Sequence, residues 1–266
     1  MLSEGPMQNL ERYLEGRVAI ITGGFSGIGL SIGEALALRG AAVALGGRTV
    51  RDNAADAFRS KGASVFCGHL DVRDISSVQQ FVNSVRSTLG PIDILVNSAG
   101  IGISQAVCGH PEDAWNDVID TNLSGPFRMT RACLPGMIER QWGRIIHIGS
   151  TAARTAVADH PAYCASKSGL LGLSRAVSLE GAPHGVTSVV LSPTWVETEM
   201  LRTSFHHHAT AKGSTTEQEI DELVASSPQQ RLVQPEEIAA IAAFLCRDEA
   251  RGITMEDIQI NAGALW

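Results

Sequence analysis

The sequence has few lysines, few aromatic residues and no excess of positive charge. Of its 266 residues, 21 are Lys or Arg and 28 are Asp or Glu, which gives a formal net charge of −7. Non-specific binding to nucleic acid needs a basic face, so this balance disfavours that class of function. Lysine occurs only at positions 61, 167 and 212, and tyrosine occurs only twice. A close pairing of these two residue types is therefore informative.

Metal, disulfide and membrane signals are also absent from the sequence. The five cysteines are odd in number and scattered, and they form no CxxC pair and no Cys/His ligand spacing. Neither a disulfide framework nor a zinc site is indicated. No segment approaches the roughly 18 apolar residues of a membrane span, and the N-terminus is not typical of a signal peptide. We expect a cytoplasmic protein that binds neither membrane nor nucleic acid.

Short apolar runs alternate with helical patterns along the whole chain. The apolar runs cover residues 18–22, 42–45, 64–68, 92–97, 144–149, 187–192 and, less clearly, 257–260. Helical spacing of apolar residues lies between them, for example at 27–39, 74–89, 161–181 and 235–246. Such alternation predicts a parallel sheet covered on both faces. We predict a single-domain, doubly wound α/β protein over residues 1–266, with about seven parallel strands and an N-terminal extension at 1–15.

One segment interrupts this alternation. Residues 194–228 show no clear helix signal, and the interior of the segment, TSFHHHATAKGSTTEQ, is polar. Long loops in compact domains are usually lids or binding segments, so we predict a substrate lid here. The three adjacent histidines, His206, His207 and His208, lack companion ligands of suitable spacing. A solvated lid is therefore favoured over a metal site, and we predict no metal.

The first predicted strand ends directly in a glycine-rich turn that a helix follows. The turn reads Thr22-Gly-Gly-Phe-Ser-Gly-Ile-Gly29. Glycines at a strand-to-helix junction let the backbone approach a pyrophosphate, and the helix N-terminus supplies N–H donors. The alternative is a tight turn without a ligand. The spacing is G-x3-G-x-G, which differs from the G-x-G-x-x-G of other dinucleotide folds.

Tyr163 and Lys167 stand four residues apart at the start of a helical pattern, which puts them on one face of the helix. A phenol is a poor base at neutral pH, but a neighbouring ammonium favours the phenolate. The pair can thus transfer protons. The alternative is a chance pair on a solvated face, which the scarcity of both residue types disfavours.

Together these features resemble the classical short-chain dehydrogenase/reductase family, over roughly residues 16 to 263. The family's T-G-x3-G-x-G corresponds to Thr22, Gly23, Gly27 and Gly29, and its N-N-A-G to Asn97-Ser98-Ala99-Gly100. Its catalytic residues correspond to Asn122, Ser150, Tyr163 and Lys167, with Ser150 13 residues before Tyr163. The resemblance implies a Rossmann fold, a homotetramer or homodimer, and hydride transfer between NAD(P)(H) and a secondary alcohol or ketone.

The resemblance also implies a role for each catalytic residue. Tyr163 exchanges the proton of the substrate hydroxyl, and Lys167 lowers the pKa of this tyrosine and binds the nicotinamide ribose. Ser150 holds the substrate oxygen, and Asn122 supports a proton relay. A non-catalytic dinucleotide sensor or scaffold on the same fold is the alternative. The intact set of four residues speaks against it, since a sensor has no need of an aligned acid/base.

The cofactor is expected to contact the glycine-rich turn, the strand ends and the start of the lid. The residues implied are Thr22, Gly23, Ser26, Gly27, Ile28, Gly29, Arg48, Asp71, Val72, Asn97, Ala99, Gly100, Tyr163, Lys167, Pro193, Thr194, Val196 and Thr198. The alternative for Asp71 is a strand-end cap. Thr194 stands where the family has glycine, and Met255 and Ala262 are further departures.

The end of the second strand bears on the choice between NADP(H) and NAD(H). NAD-specific enzymes place a carboxylate there to bind the ribose 2′-OH. In this chain that position is Gly47, and Arg48 follows it, which can pair with a 2′-phosphate. The turn has Ser26 where many NADP-dependent relatives carry a basic residue. We favour NADP(H), with NAD(H) as the alternative.

The substrate side is expected to be neutral and partly apolar. The lid root and the QPEEIA after it resemble the branch that contains 3-hydroxybutyrate dehydrogenases and polyketide ketoreductases. A hydroxyacid enzyme needs several carboxylate donors, but Gly102 and Ala152 offer none, and only His160 and a possible anchor, Arg154, remain. We predict substrate contacts at Ser150, Ala152, Val157, His160, Tyr163 and Trp195, with Ile103 and Phe205 as further walls. The alternatives are a hydroxyacid dehydrogenase, a solvent-facing Arg154 and a Trp195 that serves only the core.

Overall fold

The computed structural model describes residues 12–264, except the side chains of residues 207, 208 and 211. The first eleven residues of the predicted N-terminal extension lie outside the described residues. One sheet is formed by seven parallel strands: β1 Val18–Thr22, β2 Ala42–Gly47, β3 Val65–His69, β4 Ile94–Asn97, β5 Gly143–Ile148, β6 Val186–Pro193 and β7 Asp257–Ile260. The strand order is β3-β2-β1-β4-β5-β6-β7, and every neighbouring pair is parallel. The predicted doubly wound fold with about seven parallel strands is confirmed.

Helices connect the strands. They are α1 Gly27–Ala37, α2 Asp56–Arg59, α3 Ile75–Thr88, α4 Glu112–Ile119, α5 Gly125–Glu139, α6 Pro161–Gly181, α7 Glu199–Lys212, α8 Thr216–Ser226 and α9 Pro235–Leu245. A π-helical segment, Asp120–Ser124, joins α4 to α5. Within residues 12–264, no helix combines the length and apolar character needed to cross a membrane.

Each face of the sheet has its own hydrophobic core, because successive strand residues point to opposite faces. On one face Ala19 and Ile21 of β1 pack with Ile32 and Leu36 of α1 and with Ile238 of α9. On the other face the alternate residues, Val18 and Ile20, belong to the cluster that includes α3 and α5. Continuous burial along β1 follows from this double cover.

The segment predicted as a polar loop holds two helices, so that part of the lid prediction is wrong. Thr198 caps α7, and Thr215 forms a capping box with Gln218 at the start of α8. The capping side chains accept hydrogen bonds from backbone N–H groups in the first turn of each helix. Without the caps, only water would satisfy these N–H groups. Leu201 and Ile220 pack together with Leu232 in a small separate core. The spacing of Leu201 and Phe205 by four residues is the helical signal that the polar composition concealed.

Candidate active site

Because all strands of the sheet are parallel, their carboxyl ends share one edge. The sequence-predicted residues follow these ends: Thr22 at the end of β1, Asn97 at the end of β4, Ser150 after β5 and Thr194 after β6. The strands β1 and β4 are neighbours in the sheet, and the chain adds further strands outward from them in opposite directions, β2 and β3 beside β1 and β5 to β7 beside β4. A crevice at this switch point is where open α/β sheets bind ligands.

The glycine-rich turn packs directly against the end of β4. The Oγ1 atom of Thr22 accepts hydrogen bonds from the backbone N–H groups of Ser98 (3.1 Å) and Ala99 (3.0 Å). Gly23 has a positive φ of 63°, and a Cβ at this position would lie 2.9 Å from the Cα of Ala99. Only glycine fits such an approach.

The start of α1 lies beside the start of the lid. Ser26 is the N-cap residue of α1 and its side chain makes no capping hydrogen bond. Gly27 has a φ of 51°, and a Cβ here would lie 3.3 Å from Cγ2 of Thr198. Ile28 and Gly29 form the first turn of α1 together with Gly27. The backbone thus forms a narrow cradle at a helix N-terminus, which fits a pyrophosphate.

At the end of β2, Gly47 lies against the ring of Phe25, because a Cβ there would meet Cδ2 of Phe25 at 2.9 Å. Arg48 is exposed. In residues 12–264 no carboxylate lies within 4.0 Å of its guanidinium. An unpaired guanidinium at this strand end fits a phosphate more readily than a ribose hydroxyl.

Asp71 follows β3 and is engaged by Arg73, a residue that the sequence analysis missed. The Asp71 carboxylate accepts hydrogen bonds from the backbone N–H of Arg73 and from its guanidinium, at 2.8–3.3 Å. The Arg73 hydrogen bonds lower the pKa of Asp71, with a smaller contribution from the charge of Arg48. Asp71 thus caps a local turn, and the buried Val72 beside it packs against Gly125. Contact between Asp71 and the cofactor stays a prediction.

Asn122 lies on the π-helical segment and is buried. Its Nδ2 donates to the carbonyl of Ile101 at 2.8 Å and to the Oγ of Ser166 at 3.2 Å, and its Oδ1 accepts from the N–H of Ile101 at 2.9 Å. Gly100 lies beside this amide, since a Cβ built on Gly100 would lie 3.4 Å from Oδ1 of Asn122. The π-bulge turns Asn122 towards the loop after β4, as such bulges commonly do at functional sites.

The structure brings the turn after Ser150 to the start of α6, which carries Tyr163 and Lys167. The Ser150 hydroxyl accepts a hydrogen bond from the N–H of Ala152 at 3.1 Å, and the turn that Ser150 caps packs against α6, the helix of Tyr163. The buried Lys167 donates to the carbonyl of Ile148 at 2.7 Å. Its Nζ lies 5.5 Å from the centre of the Tyr163 ring. An aligned hydroxyl, phenol and ammonium are the groups that proton transfer to a carbonyl oxygen needs.

The pKa values at this site differ in part from the sequence expectation. Burial raises the pKa of Tyr163, while the hydrogen bond from Ser150 acts in the opposite direction. Burial lowers the pKa of Lys167 to about 8. Desolvation disfavours the charged form of each group, the phenolate of Tyr163 and the ammonium of Lys167. It therefore raises the pKa of the tyrosine and lowers the pKa of the lysine. Lowering of the Tyr163 pKa by Lys167 is not observed in this arrangement.

His147 is a buried neighbour of the site that the sequence analysis missed. It lies on β5, and its Nδ1 is 3.2 Å from Nδ2 of Asn97. Burial, and to a lesser extent the charge of Lys167, lowers the pKa of His147 to about 3. Among the described residues, Nε2 of His147 and Oδ1 of Asn97 have no hydrogen-bond partner. The run of apolar residues around His147 was the signal that it would be buried.

On the predicted substrate side, Ala152 is buried, and Val157 lies beside Cys164 with a 3.4 Å contact from its N–H to Sγ. His160 precedes α6, and its Nδ1 lies 2.8 Å from the carbonyl of Ala158. Trp195 packs edge-on against Phe205, with ring centres 5.5 Å apart. Trp195 thus belongs to the lid core, and its role as a substrate wall stays a prediction.

Arg154 is paired within the chain, so it is not a free anchor, although half of its side chain remains exposed. Its Nε donates to Oδ2 of Asp257 at 2.6 Å, and the side chain of Asp257 is only 3% exposed. Among the described residues, no three His, Cys, Asp or Glu side chains are grouped to hold an ion. The side chains of residues 207 and 208 lie outside that description, so the absence of a metal site at the lid histidines stays a prediction.

Comparison with known proteins places this chain in a family. The model of the short chain dehydrogenases matches residues 17–209. The chain belongs to the short-chain dehydrogenase/reductase family, and it is an NAD(P)-dependent oxidoreductase.

Its relatives include ketoreductases. The chain is 40% identical over 251 residues to the putative ketoacyl reductase of the monensin polyketide synthase from Streptomyces virginiae, and the match covers 93% of this chain and 96% of that protein. It is 36% identical over 249 residues to the 3-oxoacyl-acyl-carrier-protein reductase FabG of Salmonella typhimurium, covering 94% and 97%. A variant of the actinorhodin polyketide ketoreductase, solved with NADPH, superimposes with a TM-score of 0.89 at 34% identity, covering 93% of this chain and 96% of that one.

Proposed function

We propose that this chain is an NADP(H)-dependent ketoreductase that acts on a neutral, partly apolar ketone or the corresponding secondary alcohol. The observation that carries the proposal is that the turn after Ser150 packs, at the carboxyl edge of the sheet, against α6, the helix of Tyr163 and Lys167. Ser150 and Tyr163 come from different elements, the loop after β5 and the helix α6. Lys167 and Asn122 lie beside them with their own hydrogen bonds satisfied.

In reduction, Tyr163 donates its phenolic proton to the substrate oxygen, and in oxidation it takes that proton back. Ser150 holds the substrate oxygen beside the phenol, and this neighbouring hydroxyl acts to lower the pKa of Tyr163, against the effect of burial. The side-chain amide of Asn122 donates hydrogen bonds to the carbonyl of Ile101 and to the Oγ of Ser166. This Oγ in turn donates a hydrogen bond to the backbone carbonyl of Tyr163 at 2.7 Å. The nicotinamide, when bound, supplies or takes up the hydride.

The residues present fit a dinucleotide. The glycine-rich turn, with its positive φ at Gly23 and Gly27, leads into the N-terminus of α1, where backbone N–H groups and the helix dipole favour a phosphate. The Oγ1 of Thr194 is buried without a hydrogen-bond partner among the described residues, and it lies where the family places the nicotinamide end. The exposed guanidinium of Arg48 can pair with the 2′-phosphate that distinguishes NADP(H) from NAD(H), and this supports NADP(H) as the cofactor. The NADPH of the structurally similar ketoreductase supports the same choice.

A neutral substrate is supported by the state of the two candidate carboxylate anchors. Arg154 is engaged by the buried Asp257 at 2.6 Å, and His160 faces a backbone carbonyl. A free carboxylate would have to displace one of these partners or remain with a single donor, which is costly in a buried site. The acyl reductases among the relatives, whose names specify ketoacyl substrates, support a keto group in an acyl chain.

The test is a matched pair of substrates, a β-keto ester and the free β-keto acid of the same skeleton, with an aryl ketone as a third. Consumption of NADPH and of NADH is followed in steady state for each. We expect a kcat/KM at least tenfold higher for the ester than for the acid, and at least tenfold higher for NADPH than for NADH. A tenfold preference for the acid supports the hydroxyacid dehydrogenase instead. Binding of NADPH without turnover of any of the three supports the sensor or scaffold.

We propose a homotetramer or homodimer for the assembly. Phe127 on α5 and Leu179 on α6 are large apolar side chains that remain 47% and 68% exposed in the single chain. Exposed apolar groups of this size on neighbouring helices favour burial against a second copy. Sedimentation of the purified chain tests the proposal, and a monomer at micromolar concentration contradicts it.

A further inference from the structure

The segment after β2 and the start of the lid meet through an ion pair. Nη1 of Arg51, in the loop that follows β2, lies 3.8 Å from Oε2 of Glu199, the first residue of α7. Each of these two elements also contacts the glycine-rich turn. The ion pair is therefore part of a larger arrangement around the predicted phosphate site.

The contacts around the glycine-rich turn form a closed ring. Towards β2, a Cβ on Gly47 would meet Cδ2 of Phe25 at 2.9 Å. Towards the lid, a Cβ on Gly27 would lie 3.3 Å from Cγ2 of Thr198, the N-cap of α7. The ion pair closes the ring, because it joins the loop after β2 to the residue that follows this N-cap. It therefore lies beside the N-terminus of α1, where the backbone fits a phosphate.

The guanidinium of Arg51 can readily exchange its partner. The side chains of Arg51 and Glu199 are 53% and 74% exposed, and exposed ion pairs of this kind contribute little to stability. Their separation of 3.8 Å is longer than that of a charge-assisted hydrogen bond, which is roughly 2.7–2.9 Å. A phosphate offers the guanidinium two parallel hydrogen bonds. A phosphate at the N-terminus of α1 would therefore compete effectively with the carboxylate of Glu199.

Two neighbouring side chains of the same charge have other partners, and they provide matched controls. The guanidinium of Arg59, also after β2, donates to Asp52 at 2.7 and 3.0 Å and to Asp56 at 3.3 Å. Carboxylates of its own segment thus occupy this arginine. On the lid, Glu197 accepts a hydrogen bond from Nε of Arg202 at 2.7 Å. This glutamate carries the same charge as the one in the ion pair but is bound within the lid.

We propose that Arg51 binds a phosphate of the dinucleotide cofactor and that Glu199 competes with this phosphate for the guanidinium. Two groups of the cofactor offer this chemistry, the pyrophosphate and the 2′-phosphate of NADP(H). When the phosphate is bound, the start of the lid loses its ion pair to the loop after β2. Cofactor binding and the lid are thus coupled through one guanidinium. The inference deepens the cofactor part of the proposed function and is independent of the substrate.

The first test is a fluorescence titration with NADPH and with NADH, which measures Kd without turnover. Arg51→Gln is expected to raise the Kd for NADPH about fivefold or more, because a charge-assisted contact is lost. An equal loss for NADH assigns the contact to the pyrophosphate, and a loss confined to NADPH assigns it to the 2′-phosphate. Either result supports the proposal. Arg59→Gln should change neither Kd, and unchanged values for both cofactors in Arg51→Gln overturn the proposal.

The second test uses the opposite effect that competition predicts for the carboxylate. Glu199→Gln is expected to lower the Kd for NADPH about two- to fivefold, the range expected for an exposed ion pair. Glu197→Gln should change it little. Weaker binding in Glu199→Gln overturns the proposal, since the ion pair would then hold the bound cofactor in place.

A double variant separates competition from simple charge repulsion, because removal of any negative charge near a phosphate can strengthen binding. If Glu199 acts by occupying Arg51, then Glu199→Gln should have no effect on Kd in the Arg51→Gln background. A gain of the same size in both backgrounds overturns the competition. The parent should also lose affinity for NADPH with added salt more steeply than Arg51→Gln, since an exposed charge pair is screened.

The outcomes separate the inference from the proposed reaction. Weaker NADPH binding by Arg51→Gln in a chain that reduces no ketone supports the inference and refutes the proposed function. Unchanged Kd values in a chain that reduces ketones refute the inference alone. Both side chains of the pair are exposed, so their substitution is expected to keep the fold. An unchanged Tm of each variant verifies this.

Discussion

The Nζ atom of Lys167 lies 5.5 Å from the centre of the Tyr163 ring, one turn further along α6. Its position is fixed twice, by the helix and by the 2.7 Å hydrogen bond to Ile148 at the end of β5. Ser150 follows Ile148 by two residues, so the same strand end orients the lysine and the catalytic hydroxyl. The three groups therefore keep their spacing without direct contact between the lysine and the phenol.

Tyr163→Phe is expected to lower kcat by about two to four orders of magnitude, because it removes the proton-transfer group and keeps the ring. The Kd for NADPH should change less than threefold. The control is Tyr13→Phe, which removes the only other phenol, a donor to the carbonyl of Ala243 at 2.8 Å, and should keep full turnover. Steady-state kinetics and fluorescence titration measure both. A Tyr163→Phe enzyme that retains most of its kcat shows that the acid/base is another group.

The buried Lys167 makes the stability depend on pH in the alkaline range. Its pKa is lowered to about 8 from 10.5 in the unfolded chain, so between these values the unfolded chain binds the additional proton. Stability therefore rises with pH over this window. At about 1.36 kcal/mol per pH unit the gain is about 3 kcal/mol. We expect urea unfolding at pH 7.5 and 10.5 to show this gain in the parent and not in Lys167→Met. Equal changes in both proteins contradict the assignment.

The pH dependence at the acidic end is assigned to His147. Burial lowers its pKa to about 3 from 6.5, so stability is lost as the pH falls below 6.5, where only the unfolded chain protonates this histidine. Between pH 7 and pH 5 the parent should lose about 2 kcal/mol more than His147→Gln, at about 1.36 kcal/mol per pH unit. Urea unfolding at the two pH values measures the difference, and parallel curves for parent and variant would speak against it.

Arg48→Gln is expected to weaken NADPH binding at least tenfold and NADH binding less than twofold, because a guanidinium pairs with the 2′-phosphate that only NADPH carries. The loss should shrink at high salt, where an exposed pair is screened. Arg251→Gln, at an exposed arginine in the segment before β7, serves as the control and should change neither affinity. Equal losses for both cofactors in Arg48→Gln would assign the arginine to another part of the nucleotide.

Gly23→Ala is expected to destabilise the protein and to abolish NADPH binding. The backbone here has a φ of 63°, and the added Cβ would lie 2.9 Å from the Cα of Ala99. The variant therefore meets both a conformational and a packing penalty, together about 2–4 kcal/mol. Gly62→Ala is the matched control, since Gly62 has a φ of 81° with nothing within 4 Å. The control should lose only the conformational part, about 1 kcal/mol, and bind NADPH normally. Equal losses in the two variants would mean that the approach to Ala99 is not tight.

Much of this protein can be predicted from local patterns in the sequence. The apolar runs 18–22 and 257–260 coincide with β1 and β7 residue for residue, and 161–181 coincides with α6. The four-residue spacing of Tyr163 and Lys167 puts them on one helix face by geometry alone. These features follow from the strand and helix periods, which act over a few residues.

The tertiary structure decided what local patterns leave open. Arg154 was compatible with a carboxylate anchor or with solvent, and its partner Asp257 stands 103 residues later in the chain. The two meet because only β6 separates β5 from β7 in the strand order, which no period in the sequence encodes. The raised pKa of Tyr163 likewise depends on burial by several elements. Contacts between distant segments and the desolvation they cause are properties of the folded chain, so only the structure determines them.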